Sequence, residues 1–280
     1  MAEIKHIRGE EFRRMQLLEL DMLKEFDRVC RENDIRYTVF GGTLLGAVRH
    51  KGYIPWDDDA DIAMLREDYE KFRKCAHLLD KNICYFQDHK NDPGYRWGYA
   101  KLRRTGTRFV RVGQEHLTCR TGLFIDIFPM DDIPLSTLGQ IWNDFYCFCL
   151  RKVLWSEVGK LTEKNPIKRG VYKLLARIDP EKVYKRLDAL AAKSRNDSPN
   201  LVRCLLFTAT GKLYRKNSLK TRYGMPKKWF LELTEYDFET MKVLGTTDYD
   251  ENLSYIYGDY MKLPDENNRE PHSPVSDYSF

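Results

Sequence analysis

Residues 39–64 read VFGGTLLGAVRHKGYIPWDDDADIAM. An apolar run ends in the glycine pair Gly41-Gly42, and sixteen residues separate Gly42 from Asp59. Asp57, Asp58, Asp59 and Asp61 then crowd into five positions beside a second apolar run. Carboxylates that close repel one another, so a positive partner is needed, and a divalent cation is the obvious one. The alternation in DADIAML has the period-two pattern of a half-buried strand. On such a strand Asp59 and Asp61 point to the same face.

A third acid has the same setting. Asp126 lies between Ile125 and Ile127 in GLFIDIFPMDDIP, a second strand that Pro129 and Pro134 are expected to stop. If the two strands are neighbours, Asp59, Asp61 and Asp126 converge. Three carboxylates with open water positions make a hard oxygen cage, suited to Mg2+ or Mn2+ rather than zinc. The glycine pair supplies the complement. Gly41-Gly42-Thr43 ends the predicted strand IRYTVFGG and opens the predicted helix TLLGAVRH, so free backbone N–H groups can face a phosphate. A side chain there would hold the phosphate off the backbone. Arg49 and His50 follow that helix; they either reach a phosphate or complement its negative end. Trp56 stacks on a base or a cationic headgroup, or wedges beside a turn.

Outward from this stretch the chain reads as α+β. In residues 10–33 Met15, Leu18, Met22, Phe26 and Val29 recur at steps of three and four, predicting an amphipathic helix with Arg and Glu on its outer face. EDYEKFRKCAHLL predicts a second helix, and CYFQDH, RWGYAKLRR and TRFVRV predict successive strands or hairpin arms. From Leu138 the texture turns helical: 138–158 is aromatic-rich, and 167–178 and 181–195 are basic and amphipathic, parted by Asp179-Pro180. Residues 234–264 return to strand-like alternation and one helix from about Asp250 to Tyr257. The polar, proline-containing end reads as a loose tail. These readings divide the chain into 1–137, a helical basic segment 138–228, a return to the core at 229–265, and a tail 266–280.

Composition narrows the function classes. The 280 residues have ordinary globular proportions of apolar and charged side chains. No stretch approaches the roughly 18 consecutive apolar residues of a membrane span. The charged start MAEIKHIRGEEFRRM lacks a signal-peptide core, and seven scattered cysteines suit a reducing compartment, so a cytoplasmic address is expected, membrane-associated on the inner face if the basic segment meets lipid. Six scattered histidines show no zinc spacing. Residues 151–228 hold 21 Lys/Arg against 6 Asp/Glu, leaving the rest net acidic. That segment reads either as a solvated helical surface or as a face for an anionic membrane, a nucleic acid or an anionic polymer. Without an RNA-recognition motif, no nucleic acid is expected as a partner.

The order glycine pair, spacer, Asp-x-Asp and later lone strand aspartate resembles the nucleotidyltransferase superfamily. GGTLLGAVRHKGYIPWDDDADIAM and GLFIDIFPMD, with YDENLSYIYGDYMKLP near the end, resemble the LicD family over roughly 12–133 and 229–265; residues 138–228 match no part of it. The resemblance implies a nucleotidyltransferase-like mixed sheet flanked by helices, carrying 138–228 as an insertion. It also implies transfer of phosphocholine or a related phospho-alcohol from a CDP-linked donor to a sugar of a lipid-linked or polymeric surface glycan, with release of CMP. Asp59, Asp61 and Asp126 would then hold Mg2+, and Gly42 with Thr43 the donor phosphates. Asp126 or a metal-bound hydroxide would take the acceptor's proton, a choice the sequence leaves open. Lys101 matches a family lysine and is either a point charge on the pyrophosphate or a snorkelling surface side chain. Glu239 resembles a family glutamate with no evident physical role. Two other readings stand: an NTP-dependent nucleotidyltransferase releasing pyrophosphate, and a non-catalytic glycan- or nucleotide-binding protein.

Overall fold

The computed structural model describes residues 3–194, 200–207, 223–271 and 274–280. Its centre is a mixed sheet in which β1 (Thr38–Val39), β2 (Asp61–Leu65), β6 (Phe124–Asp132), β4 (Ala100–Arg104) and β3 (Cys84–Gln87) lie side by side in that order. β2 runs parallel to β6, while the β1–β2, β4–β6 and β3–β4 pairs are antiparallel. The α+β expectation therefore holds.

Strand alternation divides the apolar residues between two cores. Ile62 and Met64 of β2 join Ile125 and Ile127 of β6 in one cluster, closed by Met15, Met22, Phe26 and Val29 of α1 (Gly9–Glu32). Ala63, Leu65, Phe128 and Met130 face the other way. Against them pack Cys147, Leu150 and Leu154 of α4 (Thr137–Thr162) and Val183, Tyr184 and Leu187 of α6 (Pro180–Ser194). α5 (Pro166–Leu175) folds back on α4, and the sheet is thus covered on both faces.

Five expectations change. β6 runs through Pro129 to Asp132 instead of stopping. β4 pairs with β6 only as far as Ile127, and β7 (Leu201–Arg203) takes over at Asp131, so the missing N–H of Pro129 falls in the gap between them. The segment 138–228 is not wholly helical: β7 and β8 (Met225–Pro226) extend the sheet, although 195–199 and 208–222 lie outside the described residues. β5 (Arg108–Arg111) leaves the main sheet and pairs with β11 (Val275–Ser279), which ties down the expected loose tail. Asp277 accepts from both Lys5 and Arg108 there. The glycine pair belongs to α2 (Gly41–His50), and Phe40 is its N-cap. Finally, the outer face of α1 does not hold all its acids: Glu19 and Glu25 are buried.

Arg203 on β7 is fully buried, and its guanidinium donates to Asp144 and, at 2.6 Å, to Asn143 of α4. This ion pair staples the helical layer to the sheet edge. Arg203→Met is expected to cost about 3–5 kcal/mol in urea unfolding, because the buried Asp144 carboxylate would lose its guanidinium partner. Arg203→Met with Asp144→Leu should recover most of that loss; a single-variant cost well under about 1 kcal/mol would contradict the staple.

Candidate active site

The acids meet because of strand register. Asp61 opens β2 and lies directly opposite Asp126 of β6, and Asp126 lies opposite Lys101 of β4. One row across three strands therefore presents carboxylate, carboxylate and ammonium on one face. Lys101 donates to Asp126 Oδ1 and sits 3.3 Å from the centre of the Phe124 ring. It is only 3% exposed, which removes the snorkelling reading. Burial pulls its pKa down to about 7, and the Asp126 charge opposes that fall.

The loop before β2 is fixed from three sides. From α1, Gln16 donates to the carbonyls of Ile54 (3.2 Å) and Asp57 (3.0 Å). From α2, Thr43 Oγ1 accepts the Asp61 N–H at 2.8 Å. Thr43 is buried in this task, whereas the sequence suggested it for donor phosphates. The third support is Glu239, at the turn between β9 (Leu233–Phe238) and β10 (Met241–Thr246). It accepts the Tyr53 N–H at 3.1 Å and is clamped by both Nη atoms of Arg13. A Cβ on Gly52 would lie 2.6 Å from Glu239 Oε1, so glycine is needed at that crossing. Glu239, left without a role by the sequence, shapes the entry to the acidic run.

Gly42 is needed for proximity: a Cβ there would come within 2.5 Å of Asp57 Oδ2. Gly41 has φ +56°, a left-handed conformation that favours glycine, and a Cβ on it would sit 3.5 Å from Asp61 Oδ2. The glycine pair therefore forms the floor of the acidic cluster. Above it opens a cleft of about 670 Å³ lined by Gly42, Arg49, Trp56, Asp57, Asp59, Asp61, Tyr257 and Lys262. Arg49 reaches this cleft while donating to the Tyr260 carbonyl at 2.6 Å. Trp56 packs on the core at its edge, with the Arg269 guanidinium 5.4 Å from its ring centre.

The electrostatics show excess negative charge. Burial, reinforced by Asp59 and Asp58, pushes Asp57 up to about 8. Asp59 keeps 30% of its side chain open, yet burial and the charges of Asp58 and Asp126 raise it to about 6 against the pull of Arg111. Asp61 is raised by burial first and then by Asp59 and Asp126. Asp57, Asp58 and Asp59 each offer an oxygen within 4.8 Å of the others, and Asp61 and Asp126 lie outside that triplet. An all-carboxylate set with this much unbalanced charge fits a hard divalent cation.

Beneath the cluster lies Glu19, which the helical pattern could have exposed, since it shares the buried stripe of Met15, Met22 and Phe26. It is 0% exposed, and neither carboxylate oxygen has a hydrogen-bond partner among the described residues. Burial, then the charges of Asp59 and Asp58, lifts its pKa well above the ordinary value of 4.5. The folded state thus binds a proton that the unfolded state releases above about pH 4.5, so Glu19 lowers stability increasingly as pH rises. Glu19→Met is expected to be more stable than the wild type at pH 8, with the advantage shrinking toward pH 4 in parallel urea titrations. A pH-independent difference would contradict this state of Glu19.

Residues 34–150 match the family described as LicD/FKTN/FKRP, nucleotidyltransferase domain. Over 264 residues, covering 93% of this chain and 95% of its relative, the sequence is 28% identical to the lipopolysaccharide cholinephosphotransferase LicD of Haemophilus influenzae. An uncharacterised Rickettsia typhi protein is 41% identical over 73 residues, covering 26% of this chain and 23% of its own. A second, from Rickettsia prowazekii, is 49% identical over 47 residues, 17% of this chain and 18% of its own. The matched family domain spans Gly41–Gly42, the acidic run, Lys101 and Asp126, so the glycine pair, the acids and the lysine of the register row all fall within it. The chain is thus similar to the LicD family over residues 34–150, and to a lipopolysaccharide cholinephosphotransferase along nearly its whole length.

Proposed function

We propose that the chain moves a phosphocholine-like phospho-alcohol from a CDP-linked donor to a sugar hydroxyl of a cell-surface glycan and releases CMP. The observation that carries this reading is the register row Asp61–Asp126–Lys101 above the Gly41-Gly42 floor. Similarity along nearly the whole length to a lipopolysaccharide cholinephosphotransferase supports it. On the same reading the core is nucleotidyltransferase-like.

Asp59, Asp61 and Asp126, with Asp57 and Asp58 beside them, would hold Mg2+ or Mn2+. When bound, the ion neutralises the donor pyrophosphate and the charge that develops during transfer. The protein's own groups then supply alignment. The missing side chains of Gly41 and Gly42 let the carboxylates of Asp61 and Asp57 close on the start of α2, beside the cleft that would hold the donor. Arg49, fixed to the Tyr260 carbonyl, lends positive charge at the cleft wall. Lys101 occupies one oxygen of Asp126 and so fixes the carboxylate's orientation. The sugar oxygen attacks the phosphorus bearing the alcohol, a new P–O bond forms, and the P–O bond to CMP breaks. The hydroxyl proton passes to a carboxylate of the cluster. Because the donor is already activated, positioning and charge neutralisation are the main catalytic demands.

With CDP-choline, Mg2+ and a glycan acceptor, chromatography should show CMP forming, with EDTA abolishing it and added Mg2+ restoring it. Asp61→Asn and Asp126→Asn should each lower turnover by about 10²–10³. In thermal melts Mg2+ should raise the Tm of the wild type and do so less for Asp61→Asn. Pyrophosphate from an NTP with no CMP from any CDP-alcohol would instead identify a nucleotidyltransferase.

A further inference from the structure

We propose that α5 docks the protein on an anionic lipid bilayer. Asn165 caps this helix by accepting from Ile167 N–H and Lys168 N–H, and Pro166 begins it. Ile167, Val171 and Leu174 follow at i, i+4 and i+7, and Ile178 continues the row at i+11 in the turn that succeeds the helix. In most globular helices such a stripe faces the core. Here it faces out: Ile167 is 78% exposed and Leu174 61%. α5 is held to α4 from another side by Tyr172. That ring fills the space where a Cβ on Gly159 would lie, and its hydroxyl accepts from Lys152 at 3.1 Å. The helix is thus anchored through a tyrosine with its apolar row turned away.

The charge around the row selects the partner. Residues 164–178 carry Lys164, Lys168, Arg169, Lys173 and Arg177 and no acid. All five are exposed, and none makes an ion pair among the described residues. An apolar stripe flanked by unneutralised cations is the pattern of a helix lying in a bilayer interface, with apolar side chains below the headgroups and ammonium and guanidinium groups among anionic phosphates. A second copy is a poorer partner, because facing α5 helices would bring like cationic arrays together. Among the described residues no helix is long and apolar enough to cross a membrane, so the contact is peripheral.

The test uses the purified full chain and sedimentation with vesicles. Co-sedimentation is expected with mixed phosphatidylcholine and phosphatidylglycerol, about tenfold or more weaker with phosphatidylcholine alone, and weakened by salt. Ile167→Ser with Leu174→Ser should reduce the partition by at least about tenfold, and Lys168→Glu with Lys173→Glu should abolish the preference for the anionic lipid. These positions are exposed, so circular dichroism and Tm should stay unchanged. Equal partition to both vesicle types, or no loss in the serine variant, would overturn the proposal. A concentration-dependent dimer without vesicle binding, dispersed by the same serine substitutions, would overturn it in favour of a second copy.

Discussion

Like charges placed directly opposite one another on neighbouring strands are the constraint on which this structure turns. Asp61 and Asp126 occupy paired positions in a parallel ladder at the heart of the sheet, with Asp57 and Asp59 close by. Ionised and unaccompanied, such a set opposes folding, and the upward shifts of Asp57, Asp59 and Asp61 are the signature of that opposition. Within the fold, Lys101 and Arg111 offset only part of it. A chain that retains so much unbalanced charge on a rigid ladder has given up stability for a site.

The remaining architecture keeps those acids where they are. β6 is the pivot, because β2 delivers Asp61 on one side of it and β4 delivers Lys101 on the other. α1 anchors the preceding loop through Gln16, α2 holds the first residue of β2 through Thr43, and the β9–β10 turn brings Glu239 across the chain to the same loop. Elements far apart in sequence therefore share one task. A group that must be placed within a few tenths of an ångström needs such support, and here it comes mostly from side chains hydrogen-bonded to the backbone of the loop.

Much of this was legible in the sequence, and what was hidden has physical causes. The acids announced themselves because charged residues stand out against apolar strand sequence, as Asp126 does between two isoleucines. Their meeting followed only if the strands were neighbours, which periodicity cannot say and pairing supplies. Pro129 misled because proline is a breaker only where its missing N–H is needed, and a change of strand partner beside β6 removes the need. The C-terminal tail misled as well: polar, proline-containing composition suggests looseness, yet Asp277 pairs with Lys5 from the other end of the sequence and with Arg108 of β5. Glu239, Gln16 and Thr43 act through backbone partners, and such partners leave no pattern in composition or spacing.

The most direct test of the chemistry is to follow the phosphorus. CDP-choline labelled only at the phosphate that carries the choline, incubated with the wild-type chain, Mg2+ and a glycan acceptor, reports which bond is broken. Attack at that phosphorus sends the label into the glycan together with choline and leaves the CMP unlabelled. Label retained on the nucleotide while choline departs, or a glycan carrying the nucleotide itself, would contradict transfer of a phospho-alcohol at this site.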